Sequence, residues 1–384
     1  MPVFGRLALK IIMAIQRIPS FYPKKDLSRP NLAVRFLKIL IKRARLCRTL
    51  PDYLASDRLP VINTFYATAI ALESLPEKSP GDRNNFLIIC DADINRVWVP
   101  ERPAASRIKY LVPCTQVRNR LLTYGVKPEN IFMTGFPLPV ENLGTETGLE
   151  VLKIDLLARL LRLDPSGKFF AYHSQSVCRW LELKQIPDCR DKHYTVMFAI
   201  GGAGAQTELA RRILKSLGPL IRTGRVRLLL SCGVQRRVLE KTLKFINQHG
   251  LWDELDRNIH LIFSDNVFEY FELFNRWLRQ TDVLWTKPSE LSFYCALGLP
   301  IIMADPIGPQ EELNKRWLME IHAGLVPPGP PEYCQEWLSD LRENGRLAEA
   351  AWDGFLKARK LGTYKIKRLI ENGEYSEEIS PLKQ

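Results

Sequence analysis

Histidine is scarce in this chain. Five are spread over 384 residues (His173, His193, His249, His260 and His322), at none of the spacings by which metal ligands recur, so no metal site is expected. Cysteine is commoner, eight in all, but each stands alone and no Cys-x-x-Cys pair occurs. That argues against a zinc site and a disulfide framework. It points to a reducing compartment and free thiols, with Cys90 and Cys295 lying inside apolar runs. Long apolar runs are also missing: none approaches the roughly 18 residues that cross a bilayer. The run LALKIIMAI is interrupted by Lys10 and lacks a small-residue cleavage site, so a signal peptide is not expected. No tandem repeat of short period is present.

Acidic residues are nearly absent from the first fifty positions, which hold twelve Lys/Arg against one acid, Asp26. Eleven of the thirteen net positive charges therefore sit there, and the remainder of the chain is close to neutral. In FGRLALKIIMAIQRI and AVRFLKILIKRARL the bases alternate with large aliphatic side chains. The ordinary reading is two surface helices with solvated basic faces. The sharper reading, preferred here, is an interfacial segment (residues 1–48) that touches an anionic membrane surface. Nucleic acid is not an expected partner, because these bases lack interleaved stacking aromatics and no RNA-binding motif accompanies them.

A hydrophobic fraction of 46% is that of a globular protein, and 384 residues exceed one ordinary core. Helices are expected over 4–18 and 31–48, parted by SFYPKKDLSRPN. LPVINTFYATAIALE reads as strand into helix, residues 76–84 as a loop, FLIICDAD as a strand ending in carboxylates, and IKYLVP as another strand. A helix over TQVRNRLLTYG and a strand over NIFMTG follow. Residues 138–150 have linker composition, and a helical run comes next. From His193 the alternation begins again, with strands YTVMFAI, RVRLLLSCG, NIHLIFSD, DVLW and PIIMA separated by helices. Ser289 is expected to cap a helix over ELSFYCAL that Gly298 ends. Helices over 332–342 and 346–371 close the pattern, the last expected to cross back onto the first half. Repeated β-then-α units of this size mean parallel sheets covered by helices, whose ligand sites lie at the carboxyl ends of the strands.

Three stretches carry candidate chemistry. GGAGA at 201–205 follows an apolar strand and opens a helix, where backbone N–H groups and the helix dipole can hold a phosphate. The next strand ends Ser231-Cys232-Gly233 and not in an acid, which disfavours a dinucleotide cofactor; none is expected. PIGPQEELN gathers Gln310, Glu311, Glu312 and Asn314 at the opening of a helix. Such a group can bind sugar hydroxyls, although an acidic first turn needs only the helix dipole to explain it. In CDADINRVW, Asp91 and Asp93 with Asn95 and Arg96 end a strand, offering a general base and substrate contacts or merely a solvated turn.

Taken in order, these segments resemble the GT-B glycosyltransferases of the MurG and monogalactosyldiacylglycerol synthase type (family 28-like). YLVPCTQVRNRLLTYGVKPENIFMTGFPL is similar to that group's strand–helix–strand segment, and TKPSELSFYCALGLPIIMADPIGPQEELN to its donor-site segment. GGAGA is similar in place to its first glycine loop of the second domain. The likeness covers roughly residues 58–325. It implies an α/β fold of two Rossmann-like domains facing a cleft. The expected parts are basic helices over 1–50, an acceptor-side domain over 51–143, a nucleotide-sugar domain over 144–345, and a returning helix and tail over 346–384. The family's opening strand and glycine loop have no counterpart ahead of the basic segment, so the first domain is expected to lack its first strand.

The resemblance implies an inverting hexosyltransferase. It would move a sugar from a UDP-sugar to a lipid-like or cell-envelope acceptor, on the cytoplasmic face of a membrane. Asp91 would be the base. Gly201, Gly202, Gly204, Ser231, Gly233, Ser264, Asn266, Glu290, Gln310, Glu311 and Asn314 would hold the donor, and Asp93, Asn95 and Arg96 the acceptor. The alternatives are a nucleotide-sugar epimerase or a non-catalytic protein of the same fold.

Overall fold

The computed structural model describes residues 18–43, 47, 49–50, 54, 59–73, 84–188, 193–201, 206–377, 380 and 382. The helix expected over 4–18, the loop over 76–83 and the glycines 202 and 204 therefore lie outside the described residues. Helix α1 (Leu32–Lys42) begins at Asn31, whose side chain accepts from the Val34 N–H and caps it. Ala33, Val34 and Leu37 are buried against the protein, while Leu32, Phe36 and Ile39 form an exposed stripe on the opposite face.

The first sheet runs β1 (Val61–Asn63), β2 (Asn85–Ile88), β3 (Lys109–Leu111) and β4 (Ile131–Phe132), all parallel and in that spatial order. Helix α2 (Tyr66–Glu73) follows β1 and α3 (Thr115–Thr123) follows β3. Parallel strands joined by right-handed crossovers put every βα loop on one edge, so the loop after β2, which carries Asp91, opens there.

The linker leads into α4 (Glu150–Leu163) and α5 (Lys168–Leu181), then β5 (Tyr194–Ala199), α6 (Thr207–Arg222), β6 (Val226–Gly233) and α7 (Arg236–Gln248). After these come β7 (Ile259–Phe263), α8 (Val267–Leu278), β8 (Val283–Thr286), β9 (Ile301–Met303), α9 (Pro309–Glu320) and β10 (Gly324–Leu325). Strands β5, β8 and β9 are buried along their whole length, as continuous apolar runs between two helical layers must be. The second sheet is parallel, in the order β10-β9-β8-β5-β6-β7. Chain order reverses between β5 and β8. Crevices at such a reversal are where open α/β sheets bind ligands. With two parallel-sheet α/β domains the protein has the GT-B architecture.

Three local expectations need correction. Residues 290–297 form a 3-10 helix, and the Ser289 side chain makes no capping bond to it, although Gly298 does end it with a left-handed φ of 70°. The helix expected over 346–371 is two, α11 (Arg346–Lys357) after α10 (Cys334–Glu343), and then α12 (Gly362–Asn372). The break at 358–361 lets the chain leave the second domain for the first. β10 was not expected, because its two residues sit in a Pro/Gly-rich stretch.

Helix α12 lays Ile366 and Leu369 on Phe86, Ile88 and Leu111 of the first sheet. The Thr363 hydroxyl donates to the Leu138 carbonyl at 2.5 Å, and the Met133 N–H donates to the Tyr375 hydroxyl at 2.8 Å. Gly362 meets the first domain backbone to backbone, since a Cβ there would stand 2.1 Å from the Phe136 oxygen. We predict that Gly362→Ala costs about 2 kcal/mol through overpacking. Gly329→Ala, whose Cβ would meet nothing nearer than 3.6 Å, should be near neutral. Thermal midpoints of the two variants provide the comparison.

Candidate active site at the carboxyl edges of the two sheets

The cleft is assembled from strand ends. Gly201 directly follows the β5 segment and has φ +85°, a region glycine enters without steric cost. A Cβ on it would lie 3.8 Å from the Lys287 Cε. Lys287 follows β8, on the other side of the chain reversal, and its Nζ donates to Glu311 Oε1 at 2.6 Å. The second oxygen of Glu311 accepts from the Ile307 N–H at 2.6 Å, which pins the loop that opens α9. The glycine turn and the Gln310–Glu311 turn thus share one crevice, joined by a lysine. The Gly201 turn, the Lys287 ammonium paired with Glu311 and the N-terminus of α9 meet in that crevice.

Asp91 of the first domain reaches the same place. Its Oδ1 accepts from Asn314 Nδ2 at 3.0 Å, and Asn314 Oδ1 accepts from the Ala92 N–H at 2.7 Å. Burial pushes the Asp91 carboxyl up to about 6; the Asn314 hydrogen bond opposes the shift, while Glu290 and Glu311 add to it. Burial likewise pushes the neighbouring Cys90 thiol up to about 12, with Asp91 and Glu290 contributing. That thiol is not a nucleophile at neutral pH. Ser231, at the end of β6 where the register with β7 slips, bonds the Tyr270 hydroxyl at 2.8 Å. The field of Glu290 reaches Tyr270, Tyr294, Cys90 and Asp91, so Glu290 borders the same crevice.

Not every residue named from the sequence belongs here. Asp93 is buried in a bidentate pair with Arg120 (2.8 and 2.7 Å) and also accepts from Gln116 at 2.9 Å. Asn95 caps the short turn Arg96–Trp98 by accepting from the Val97 N–H. The Arg96 guanidinium is spent on the carbonyls of Leu27, Ser28, Val99 and Pro100. The bonds these three make brace the loop that presents Asp91, and Asp93 and Arg96 also border the neighbouring cavity. Asn314, expected at the donor, bonds Asp91 and Ala92 instead. Ser264 and Asn266, expected near the base, spend their side chains on the start of α8: Asn266 accepts from Phe268 and Glu269 N–H groups, and the Ser264 hydroxyl donates to Glu269. Gly233 has φ +70° and open space where a Cβ would be.

Lys287 was missed by the sequence reading, as was Tyr270. Lys287 stood in plain view after a buried strand, where a charge needs a reason.

Beside the cleft lies a cavity of about 980 Å³ between residues 18–31, the loop after β2 and the C-terminal turns of α9. Its wall joins Phe21, Tyr22 and Trp317 to charged side chains, among them Asp93, Arg96 and Arg316. Among the described residues, no group of three or more His, Cys, Asp or Glu is disposed to hold a metal. The described cysteines are free.

Residues 188–256 and 238–369 match a family described as a domain of unknown function (DUF6938). The processive diacylglycerol beta-glucosyltransferase of Bacillus subtilis (strain 168) is 21% identical over 268 residues, 69% of this chain and 56% of that protein. The chain thus spans little more than half of that relative's length. Among solved structures, S. aureus MnaA with UDP overlaps at TM-score 0.47 and 13% identity, covering 88% of this chain and 77% of that one. WaaG, a glycosyltransferase involved in lipopolysaccharide biosynthesis, overlaps at 0.39 and 12%, covering 93% and 86%.

If Asp93 braces the loop from within, Asp93→Ala strands a buried guanidinium. It should cost about 3–5 kcal/mol, whereas loss of an exposed ligand contact would cost almost none. Urea unfolding midpoints distinguish the two. Motif order, the glucosyltransferase match and the two parallel sheets agree: this chain is similar to the GT-B glycosyltransferases of the family 28 type.

Proposed function

We propose that the protein transfers a hexose from a nucleoside-diphosphate donor, a UDP-sugar, to a hydroxyl of a lipid-like or cell-envelope acceptor, with inversion. The observation that carries this reading is the convergence of Gly201, Lys287, Glu311 and Asp91 on one crevice at the reversal of the second sheet. The diphosphate would lie against the Gly201 turn and the Lys287 ammonium. Gln310 and Glu311, at the opening of α9, would take hydroxyls of the sugar.

Asp91 then faces the acceptor. The acceptor oxygen attacks the anomeric carbon as its proton passes to Asp91. The bond from that carbon to the diphosphate breaks, and the electron pair leaves with the phosphate oxygen. The Gly201 turn and Lys287 stabilise the charge that develops there. A carboxyl at about 6 is ionised at neutral pH, yet basic enough to accept a proton.

A lipid acceptor is supported by the match to a diacylglycerol glucosyltransferase. Membrane contact is supported by α1, which exposes Leu32, Phe36 and Ile39 beside Arg35 and Lys38. Each base near an anionic surface adds about 1 kcal/mol of attraction. Among the described residues no helix is long and apolar enough to cross a membrane, so attachment would be at the interface.

The test pairs calorimetry against UDP and a panel of UDP-sugars with product analysis in the presence and absence of diacylglycerol in anionic vesicles. Donor binding and a glycolipid formed only with vesicles are expected. Asp91→Asn should abolish transfer while leaving donor affinity within about twofold, and Lys287→Ala should weaken UDP binding by roughly tenfold or more. Because the base must be ionised, kcat should fall as the pH drops through about 6. Failure to bind any nucleotide would sink the proposal.

A further inference from the structure

The geometry points to Asn314 as a positioning residue: one buried side chain fixes the orientation of Asp91 and ties the sugar-holding helix of the second domain to the first. This rests on Asp91 being the proton acceptor, and the test below separates the two claims. Asn314 is fully buried, and its partners lie 222 and 223 positions earlier in the chain. The Ala92 N–H requires an acceptor and the Asp91 carboxylate requires a donor. A primary amide offers both from one planar group. An aspartate could still accept from Ala92 but would face Asp91 with like charge. An alanine would leave the Ala92 N–H buried without a partner.

The bond to Oδ1 anchors one oxygen of Asp91. Its Oδ2 takes no protein hydrogen bond among the described residues and is the one left for a substrate. The groups facing Asp91 come from three elements: Asn314 and Glu311 from α9, Glu290 from the turn after β8, and Cys90 beside it. Lys287, which is held by Glu311, stands behind them. Glu290 and Glu311 favour the protonated carboxyl, whereas the Asn314 N–H favours the ionised form.

Along α9, Gln310 and Glu311 stand one turn before Asn314, while Leu313 and Trp317 turn to the cavity. At 1.5 Å rise per residue the sugar-holding end and the Asp91 contact are about 4.5 Å apart on one rigid rod. A sugar that draws the opening of α9 toward it therefore moves the anchor of the base as well.

Two variants of the full chain test this. Asn314→Ala should lower hydrogen-exchange protection at the Ala92 amide by at least tenfold, and kcat by roughly tenfold with the donor KM little changed. Its acid limb should move to higher pH, because a bond that favoured the carboxylate is gone. Asn314→Asp should keep Ala92 protected yet move the acid limb up too, through like charge. A purely architectural asparagine predicts something else: lower unfolding midpoints with activity scaled equally at every pH. If both variants keep the native acid limb, the proposal is overturned. Should no donor support transfer at all, the Asp91 titration followed by carbon NMR of its carboxyl still decides. An unmoved titration in Asn314→Asp overturns the positioning role, while a moved one supports it even as the transferase reading fails.

Discussion

Two parallel sheets can share a ligand only if their carboxyl edges are brought together, and in this protein that closure runs through α9. The helix grows from the second sheet, yet its fully buried Asn314 bonds the loop that leaves β2 of the first. An amide enclosed between two domains is stable only with both its polar atoms engaged, so the contact tolerates little sliding. Everything in the crevice is placed relative to it: Glu311 one turn earlier, Lys287 against Glu311, Gly201 against Lys287.

The returning helix adds a second contact between the domains. The chain leaves the second domain at 358–361 and packs α12 on the first sheet, with Gly362 against the backbone of Phe136. Between these helices Lys360 is fully buried, over the Phe355 ring, and burial pulls its ammonium down to about 7. A charge enclosed at a crossing is costly to retain. The two domains are thus held by an amide at the crevice and by a close backbone contact at the returning helix, linked through Phe136, Phe293 and Trp317.

Charge divides the surface from the site. The basic excess lies in the first fifty residues of the sequence, of which α1 exposes aliphatic and basic side chains together. Inside, carboxylates gather: Asp91, Glu290 and Glu311, with Lys287 among them. Burial and the two neighbouring acids raise the proton affinity of Asp91, while Lys287 is paired with Glu311, which is the environment a proton acceptor needs.

Much of the fold was legible in the sequence. Continuous apolar runs such as YTVMFAI and PIIMA can only be strands buried on both faces, and their alternation with amphipathic helices dictates parallel sheets. Strand ends follow from that, so Asp91, Gly201 and the Gln310–Glu311 turn could be assigned to carboxyl edges without coordinates. The tertiary structure alone decided which polar groups at those edges face one another. Asp93 and Arg96 look as reactive in sequence as Asp91, but long-range partners, Arg120 for one and the carbonyls of Leu27 and Ser28 for the other, absorb them. Asn314 carries no mark of its pairing with a residue more than two hundred positions away. Local periodicity fixes which face of an element is buried, whereas hydrogen-bond partners depend on how separate elements pack, and that is written in no single stretch of chain.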